Sequence, residues 1–473
     1  MTKIRGRARA LRKAVTAESF RRRYANVGHL LSGNAATLVI GLFAVALTAR
    51  ALGPHEYGIL ALVISGAQAI DSFVNFQTWQ PLIRYGADLD DEAHRDELMA
   101  LFKYGLLLDM AAAITGWMIA LGVTAIAGFL LGWEPAVYAT VLTYSLVLLF
   151  RVNGTPVAIL RLAGKFRATA YLQVLGVGAR LIGCAIAFAM GGGVFAFAVI
   201  WMTTQILSQL LLAFAAWREL RSRGLHRLDK ASLKGIRARF PGIWGFTWSA
   251  NFSLTLWSSA QQLDVLLVGA LTDPASAGLY HIAKRIGRAV QQAGAQVQAV
   301  AYPEIARLWQ AGAIRAFRNV VLQTEMLLAS AGLALFCATL LVAKPVILLV
   351  AGKAFAGAAP LLVVQMVAVT LVLSGSIARV ALLSMGRERQ IFGLVVLSIA
   401  LFFATAALLI PRIGPMGANI AHIVLGSVWL LGLSILLKSG LAQARREDER
   451  AASSCEQSPA ADRCADTLRH DAA

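Results

Sequence analysis

Apolar residues along this chain neither alternate nor recur at every third or fourth position. They fill long unbroken blocks of about 20 to 27 residues, separated by short polar or charged stretches. A helix rises 1.5 Å per residue, so one such block crosses the hydrocarbon of a bilayer. Twelve spans are predicted, at residues 30–52, 57–80, 103–131, 137–160, 169–190, 194–217, 242–268, 277–301, 319–343, 359–384, 390–411 and 416–437.

Two phrases recur after about 220 residues. Ala51-Leu52-Gly53-Pro54-His55-Glu56-Tyr57-Gly58-Ile59-Leu60 is echoed by Ala270-Leu271-Thr272-Asp273-Pro274-Ala275-Ser276-Ala277-Gly278-Leu279-Tyr280. Val157-Ala158-Ile159-Leu160 with Gly164-Lys165 is echoed by Val380-Ala381-Leu382-Leu383 with Gly386-Arg387. A duplicated unit is the economical explanation. Six spans precede the polar stretch at 218–240, so the first span of each half starts on the same side of the membrane. The repeats are therefore parallel, related by an axis along the membrane normal. The expected fold is an all-α polytopic membrane protein, with about twelve transmembrane helices in two six-helix lobes. The expected layout is a basic cytoplasmic arm (1–28), a first lobe (29–217), a basic linker (218–240), a second lobe (241–437) and a disordered cytoplasmic tail (438–473).

Charge sharpens the picture. The net charge of +19 would suit a nucleic-acid partner, but its distribution speaks for membrane topology instead. Of 44 Lys and Arg, 34 fall on one side of the twelve-span map, four on the other (Arg50, Lys344, Lys353, Arg412) and six inside spans. The positive-inside rule then puts both termini and the basic loops in the cytoplasm. Composition agrees: 58% of residues are hydrophobic and 15% charged, against about 45–50% and about 25% in soluble domains. No phosphate-binding G-x-x-x-x-G-K-[ST] motif, cofactor motif, metal-ligand spacing or catalytic constellation is present, so no enzyme is expected. Cys455, Cys464 and His470 fall in the polar tail, which reads as disordered rather than metal-binding.

A charge retained in a span needs a reason. The eighth span is the densest case, with His281, Lys284, Arg285, Arg288, Gln291, Gln292 and Gln296 at three- and four-residue steps along one face. Two readings stand: internal ion pairs to Asp264 or snorkelling, or a water-filled basic cavity that receives an anionic group. The seventh span adds Asn251, Ser253, Thr255, Ser258, Ser259, Gln261, Gln262 and Asp264, interleaved with Trp244, Trp248 and Trp257. Such a surface suits sugar rings, or serves as hydroxyl glue with an aromatic belt. In the first half, Arg151 and Arg180 lie near mid-membrane with Asp71 as the opposite charge, either paired to it or available to a ligand. Asp109 and Glu325 occupy matching positions in the two halves and are candidates for ion coupling, with pairing to basic loops as the alternative. Pro156 should kink the fourth span just after Arg151.

Asn34, Arg50 to Gly58, Gly154-Thr155-Pro156 with Ile159-Leu160-Arg161 and Lys165-Phe166, and Asp264 with Ala277-Gly278-Leu279-Tyr280 and Ala283 together resemble the polysaccharide flippases, the O-antigen and exopolysaccharide exporters. That family lies within the multidrug/oligosaccharidyl-lipid/polysaccharide exporter superfamily. The resemblance covers about residues 28–437. It implies translocation of an undecaprenyl-diphosphate-linked oligosaccharide to the outer leaflet of a bacterial inner membrane by alternating access. It also implies coupling to a proton or sodium gradient and a polysaccharide polymerase as partner. Lys284, Arg285 and Arg288 would then neutralise the diphosphate, assisted by Arg151 and Arg180, with Gln292, Asn251 and Trp257 toward the glycan. Asp71, Asp264, Asp109 and Glu325 are the candidate ion-coupling carboxylates. A multidrug cation antiporter on the same fold would favour carboxylates over this excess of Arg and Lys. A polysaccharide polymerase or ligase would need a large outer loop, and none is visible. Twelve spans also disfavour the lipid II flippases, which typically carry fourteen.

Overall fold

The computed structural model describes side chains for residues 33–444 and 446, apart from 76, 88, 90–93, 226, 246, 248–257, 259 and 260. Among the described residues its elements are helices. They are α1 (Thr2–Val74), α2 (Trp79–Gly86), α3 (Arg95–Leu131), α4 (Pro135–Ser145), α5 (Gly154–Leu162), α6 (Phe166–Ala189), α7 (Val194–Ser222), α8 (Ile236–Arg239), α9 (Ile243–Leu271) and α10 (Pro274–Gln310), followed by α11 (Ile314–Val350), α12 (Ala358–Ser374), α13 (Ser376–Ser384), α14 (Glu388–Ile413) and α15 (Pro415–Glu456). Large apolar side chains stand on the outside: Phe129 is 87% exposed and Leu341 83% exposed. Lipid is the solvent that makes such a surface stable, since helices satisfy their own backbone polar groups.

Each expected span corresponds to one helix or to a broken one. Among the described residues nine helical segments are long and apolar enough to cross a membrane. Gly33–Gly86 counts there as one segment although it holds the first two spans, which meet at Gly53 (φ +70°) just before Pro54. The polar eighth span, α10, falls outside that set, and much of the seventh, α9, lies outside the described residues. The fourth span is interrupted: α4 runs into a short 3-10 segment at Leu146–Phe150, residues 151–153 are non-helical, and α5 restarts at Gly154. Its counterpart in the second half is interrupted only at Gly375, between α12 and α13.

The second repeated phrase folds into the same turn twice. Lys165 N donates to Leu160 O (2.8 Å) across Gly164 (φ +69°), and Arg387 N donates to Leu382 O (3.0 Å) across Gly386 (φ +71°). The left-handed glycine closes the helix end and satisfies its last carbonyls.

Packing divides the chain into two compact units. The first comprises Met1–Ile286, Ala343–Leu361 and Leu409–Ala418; the second comprises Gly287–Val342, Leu362–Leu408 and Asn419–Ala473. In the first, Leu98 and Phe102 of α3, Ile159 and Leu160 of α5, and Leu212, Ala216 and Leu220 of α7 form one apolar cluster. The basic linker is pinned beside it, with Lys103 Nζ donating to the carbonyls of Asp229 (2.6 Å) and Ala231 (2.8 Å). In the second unit, Gly287 and Gly294 let α10 approach Val369 and Leu373 of α12, and Thr370 Oγ1 donates to Gly332 O (3.0 Å) of α11. Small residues at helix contacts are how membrane helices gain close van der Waals packing.

Candidate functional site

The break in the fourth span is the centre of a polar ring within the first unit. Arg151, in the non-helical stretch, pairs with Asp71 Oδ2 of α1 at 3.2 Å. Asp71 Oδ1 accepts from Asn75 Nδ2 (3.3 Å), and Asn75 Oδ1 accepts from the backbone N–H of Gln77 (3.1 Å). Gln77 sits at φ +47°, the one non-glycine residue at positive φ among the described residues. Its neighbour Thr78 donates its hydroxyl to Asp109 Oδ1 of α3 (2.5 Å), and Asp109 Oδ2 accepts from the backbone N–H of Thr155 (2.7 Å). Thr155 lies four residues beyond Arg151, which closes the ring. Asp71, Asn75, Ala112, Gly116, Leu148 and Arg151 line a small pocket beside it.

Of the alternatives open to Asp71, the pair with Arg151 is the one formed. Arg180, the other mid-membrane arginine of the first half, donates to Thr204 Oγ1 (3.3 Å) and Gln205 Oε1 (3.0 Å) and stacks over Trp201 (4.6 Å). Tyr144 is within electrostatic reach of both Arg151 and Arg180. Arg151 is thus held by a carboxylate, and Arg180 by hydroxyl, amide and aromatic partners.

A second node joins α9 and α10. Lys284 Nζ pairs with Asp264 Oδ1 and donates to the Gln261 carbonyl, and Tyr280 OH donates to Asp264 Oδ2 (2.7 Å). Asp264 and Tyr280 are fully buried and Lys284 nearly so. The internal ion pair to Asp264, one of the two readings of the α10 cations, is thus made by Lys284. Arg285, the next residue, reaches toward Gly41 of α1, which has no side chain to block it. One turn earlier, His281 Nδ1 and Tyr57 OH share a hydrogen bond of 2.7 Å. Arg288 is half-buried and Gln292 exposed, both on the part of α10 that belongs to the second unit. Asn251 and Trp257 lie outside the described residues. Glu325, half-buried on α11, makes no ion pair or hydrogen bond among the described residues.

Sequence reasoning missed Thr78, the Thr155 amide, Tyr280 and Tyr57. The repeated phrases did contain Tyr57 and Tyr280, but their roles as partners of His281 and Asp264 depend on which helices face each other. At the loop into α10, Asp273 accepts from Ser276 Oγ (2.7 Å) and Ser276 N (2.9 Å), which hold its carboxyl below the usual carboxylate range. Pro274 follows at the first helical position, a common helix start.

Relatives set this geometry in context. The inner membrane protein YghQ of Escherichia coli (strain K12) is 27% identical over 344 residues, covering 71% of this chain and 94% of its own. An inward-facing multidrug resistance MATE family transporter of the MOP superfamily is structurally similar with a TM-score of 0.68 at 14% identity, over 89% of this chain and 99% of that one. The lipid II flippase MurJ, in an inward closed conformation, is similar with a TM-score of 0.68 at 14% identity, over 88% and 89% of the two chains. At that identity the likeness is one of fold, and the fold is that of the MOP-superfamily transporters. The family model for polysaccharide biosynthesis proteins matches residues 24–309, from the end of the N-terminal arm to the last turn of α10, and the chain belongs to that family.

Proposed function

We propose that the protein is a flippase of the bacterial inner membrane. It moves a polyprenyl-diphosphate-linked oligosaccharide from the cytoplasmic to the outer leaflet by alternating access. One observation carries the reading: a membrane-embedded member of the polysaccharide biosynthesis family keeps Arg285 and Arg288 one turn apart on α10, next to a lysine already held by Asp264. Guanidinium groups pair with diphosphate oxygens in a bidentate fork, which makes that charge tolerable at membrane depth. Arg285 and Arg288 contact the diphosphate, Arg151 and Arg180 extend the cationic path in the first half, and Asn251, Trp257 and Gln292 meet the glycan. The polyprenyl tail stays in lipid. Two six-helix lobes, residues 29–217 and 241–437, rock about the substrate, with both termini in the cytoplasm. Glu325 is the carboxylate best placed to couple a proton or sodium ion, because Asp71, Asp109 and Asp264 are all engaged within the protein.

The test is a gene deletion complemented by variants, with lipid-linked oligosaccharide followed in isolated membranes. Deletion should leave it accumulated in the inner leaflet, and the parent chain should clear it. A stable Arg285→Ala/Arg288→Ala protein should fail to clear it, and normal export from that protein would remove the diphosphate reading. Drug sensitivity in the deletion strain, with no accumulation of lipid-linked sugar, would point to a multidrug antiporter.

A further inference from the structure

We infer that Asp109 is a positioning residue, a buried hydrogen-bond acceptor that joins two half-helix starts and thereby sets where Arg151 stands. The inference deepens the proposed reading of Arg151 as an anion contact and rests on it. Asp109 is 3% exposed on α3. One oxygen takes the hydroxyl of Thr78, the residue before α2, and the other takes the backbone N–H of Thr155, the second residue of α5. The first N–H groups of a helix have no partner inside it and carry partial positive charge. The residue before α5, Asn153, gives no side-chain cap. Asp109 therefore caps α5 from a different helix, while also fixing the turn that starts α2.

The packing leaves no slack. A Cβ on Gly154 would overlap Thr78 Oγ1 and come within 2.9 Å of Asp109 Oδ1, so only glycine fits at the restart. From there the chain runs back three residues to Arg151, whose other tie is Asp71. Cutting the Asp109 end would leave the Arg151–Asp71 ion pair as the side-chain tie of the 151–153 stretch to another helix among the described residues, beside its own backbone bonds to Leu148 and Val157. The second half supplies the contrast. Its equivalent span is interrupted only at Gly375, Arg379 N still donates to Gly375 O (3.3 Å), and Glu325, the positional match of Asp109, caps nothing among the described residues. A wide break needs an outside cap, and a single-residue kink does not.

The experiment uses the full chain in membranes, lacking its four native cysteines and carrying Val152→Cys within the break. Modification by a water-soluble maleimide is timed without substrate. Asp109→Ala should raise the labelling rate about fivefold to tenfold, since it removes two buried hydrogen bonds. Thr78→Val, isosteric and milder, should raise it by about half as much on the same grounds. Asp109→Asn keeps one acceptor for the Thr155 amide and can donate to the Thr78 oxygen. It should label like the parent and export polysaccharide with an unchanged pH profile. Loss of export in Asp109→Asn, whatever its labelling, would overturn the inference and make the carboxylate charge itself the functional element. Parent-like labelling in both Asp109→Ala and Thr78→Val would overturn it as well. Because labelling is read without substrate, it stands or falls separately from the export assay that tests the flippase reading.

Discussion

Gly58 and Gly278 meet back to back. A Cβ on Gly278 would overlap the Pro54 carbonyl oxygen and stand 3.2 Å from the Gly58 Cα, and a Cβ on Gly58 would overlap the Pro274 carbonyl oxygen. Pro54 and Gly58 are the positions that recur as Pro274 and Gly278, so the repeated phrases pack against each other through equivalent residues. Nearby, the Arg50 guanidinium donates to the Leu348 carbonyl (3.4 Å) and to the Leu349 carbonyl, at the C-terminal end of α11. This closes the junction with a cation where helix dipoles favour one.

Gly58→Ala and Gly278→Ala should therefore each destabilise the protein, because the obstacle is backbone and cannot swing aside. Overpacking of this kind costs roughly 1–3 kcal/mol. Melting of the detergent-solubilised protein is the measurement. The double variant should cost less than the two singles together, since both act on one contact. Parent-like melting of both single variants would contradict the close approach.

The buried ion pair makes a different kind of prediction. Lys284→Ala leaves Asp264 charged and fully buried, and stranding a charge in this way costs about 3–5 kcal/mol. Low expression of Lys284→Ala should be relieved in Asp264→Ala/Lys284→Ala. Rescue by removing Asp264 together with Arg288, and not with Lys284, would mean the pairing is wrong.

Asp273 predicts a pH dependence. Its carboxyl is lowered by the hydrogen bonds from Ser276, so its cap stabilises the start of α10 above the unfolded-state pKa. That contribution is lost as pH falls through the folded-state value. Asp273→Ala should cost about 1 kcal/mol at neutral pH, the usual worth of a helix cap. Its melting curve should converge with that of the parent as the solution becomes acidic. A gap that stays constant down to acid pH would assign the loss to something other than the carboxylate.

Glu325→Gln tests coupling. Export driven by an imposed ion gradient in vesicles should fall to the level seen without a gradient, while binding of lipid-linked sugar stays within about twofold of the parent. A gradient response equal to the parent would move coupling elsewhere.

Topology is open to direct measurement as well. Reporter fusions within 131–135 and 191–193 should read as outside, and fusions in the 218–240 linker and at both termini as cytoplasmic, following the bias of basic residues. A cytoplasmic reading at 131–135 would dismantle the twelve-span map.

Some of this protein was decided by its sequence alone. Block length against bilayer thickness dictated the helices, because lipid leaves the backbone no other way to satisfy its polar groups. The doubled phrases announced two equivalent turns, and Gly164 and Gly386 close them alike. Pro156 marked the fourth span as irregular, although the interruption starts earlier, at Leu146, and takes in Arg151 itself. What the sequence could not decide was the choice among partners. Lys284, Arg285 and Arg288 look interchangeable on one helical face, yet it is Lys284 that the structure sets against Asp264 with both side chains buried. Asp109 and Glu325 look equivalent by repeat position, yet one caps a broken helix and the other does not. Helical periodicity places a side chain on a face, whereas a buried charge is settled by the atoms that come within hydrogen-bond distance of it, and those belong to helices distant in the chain.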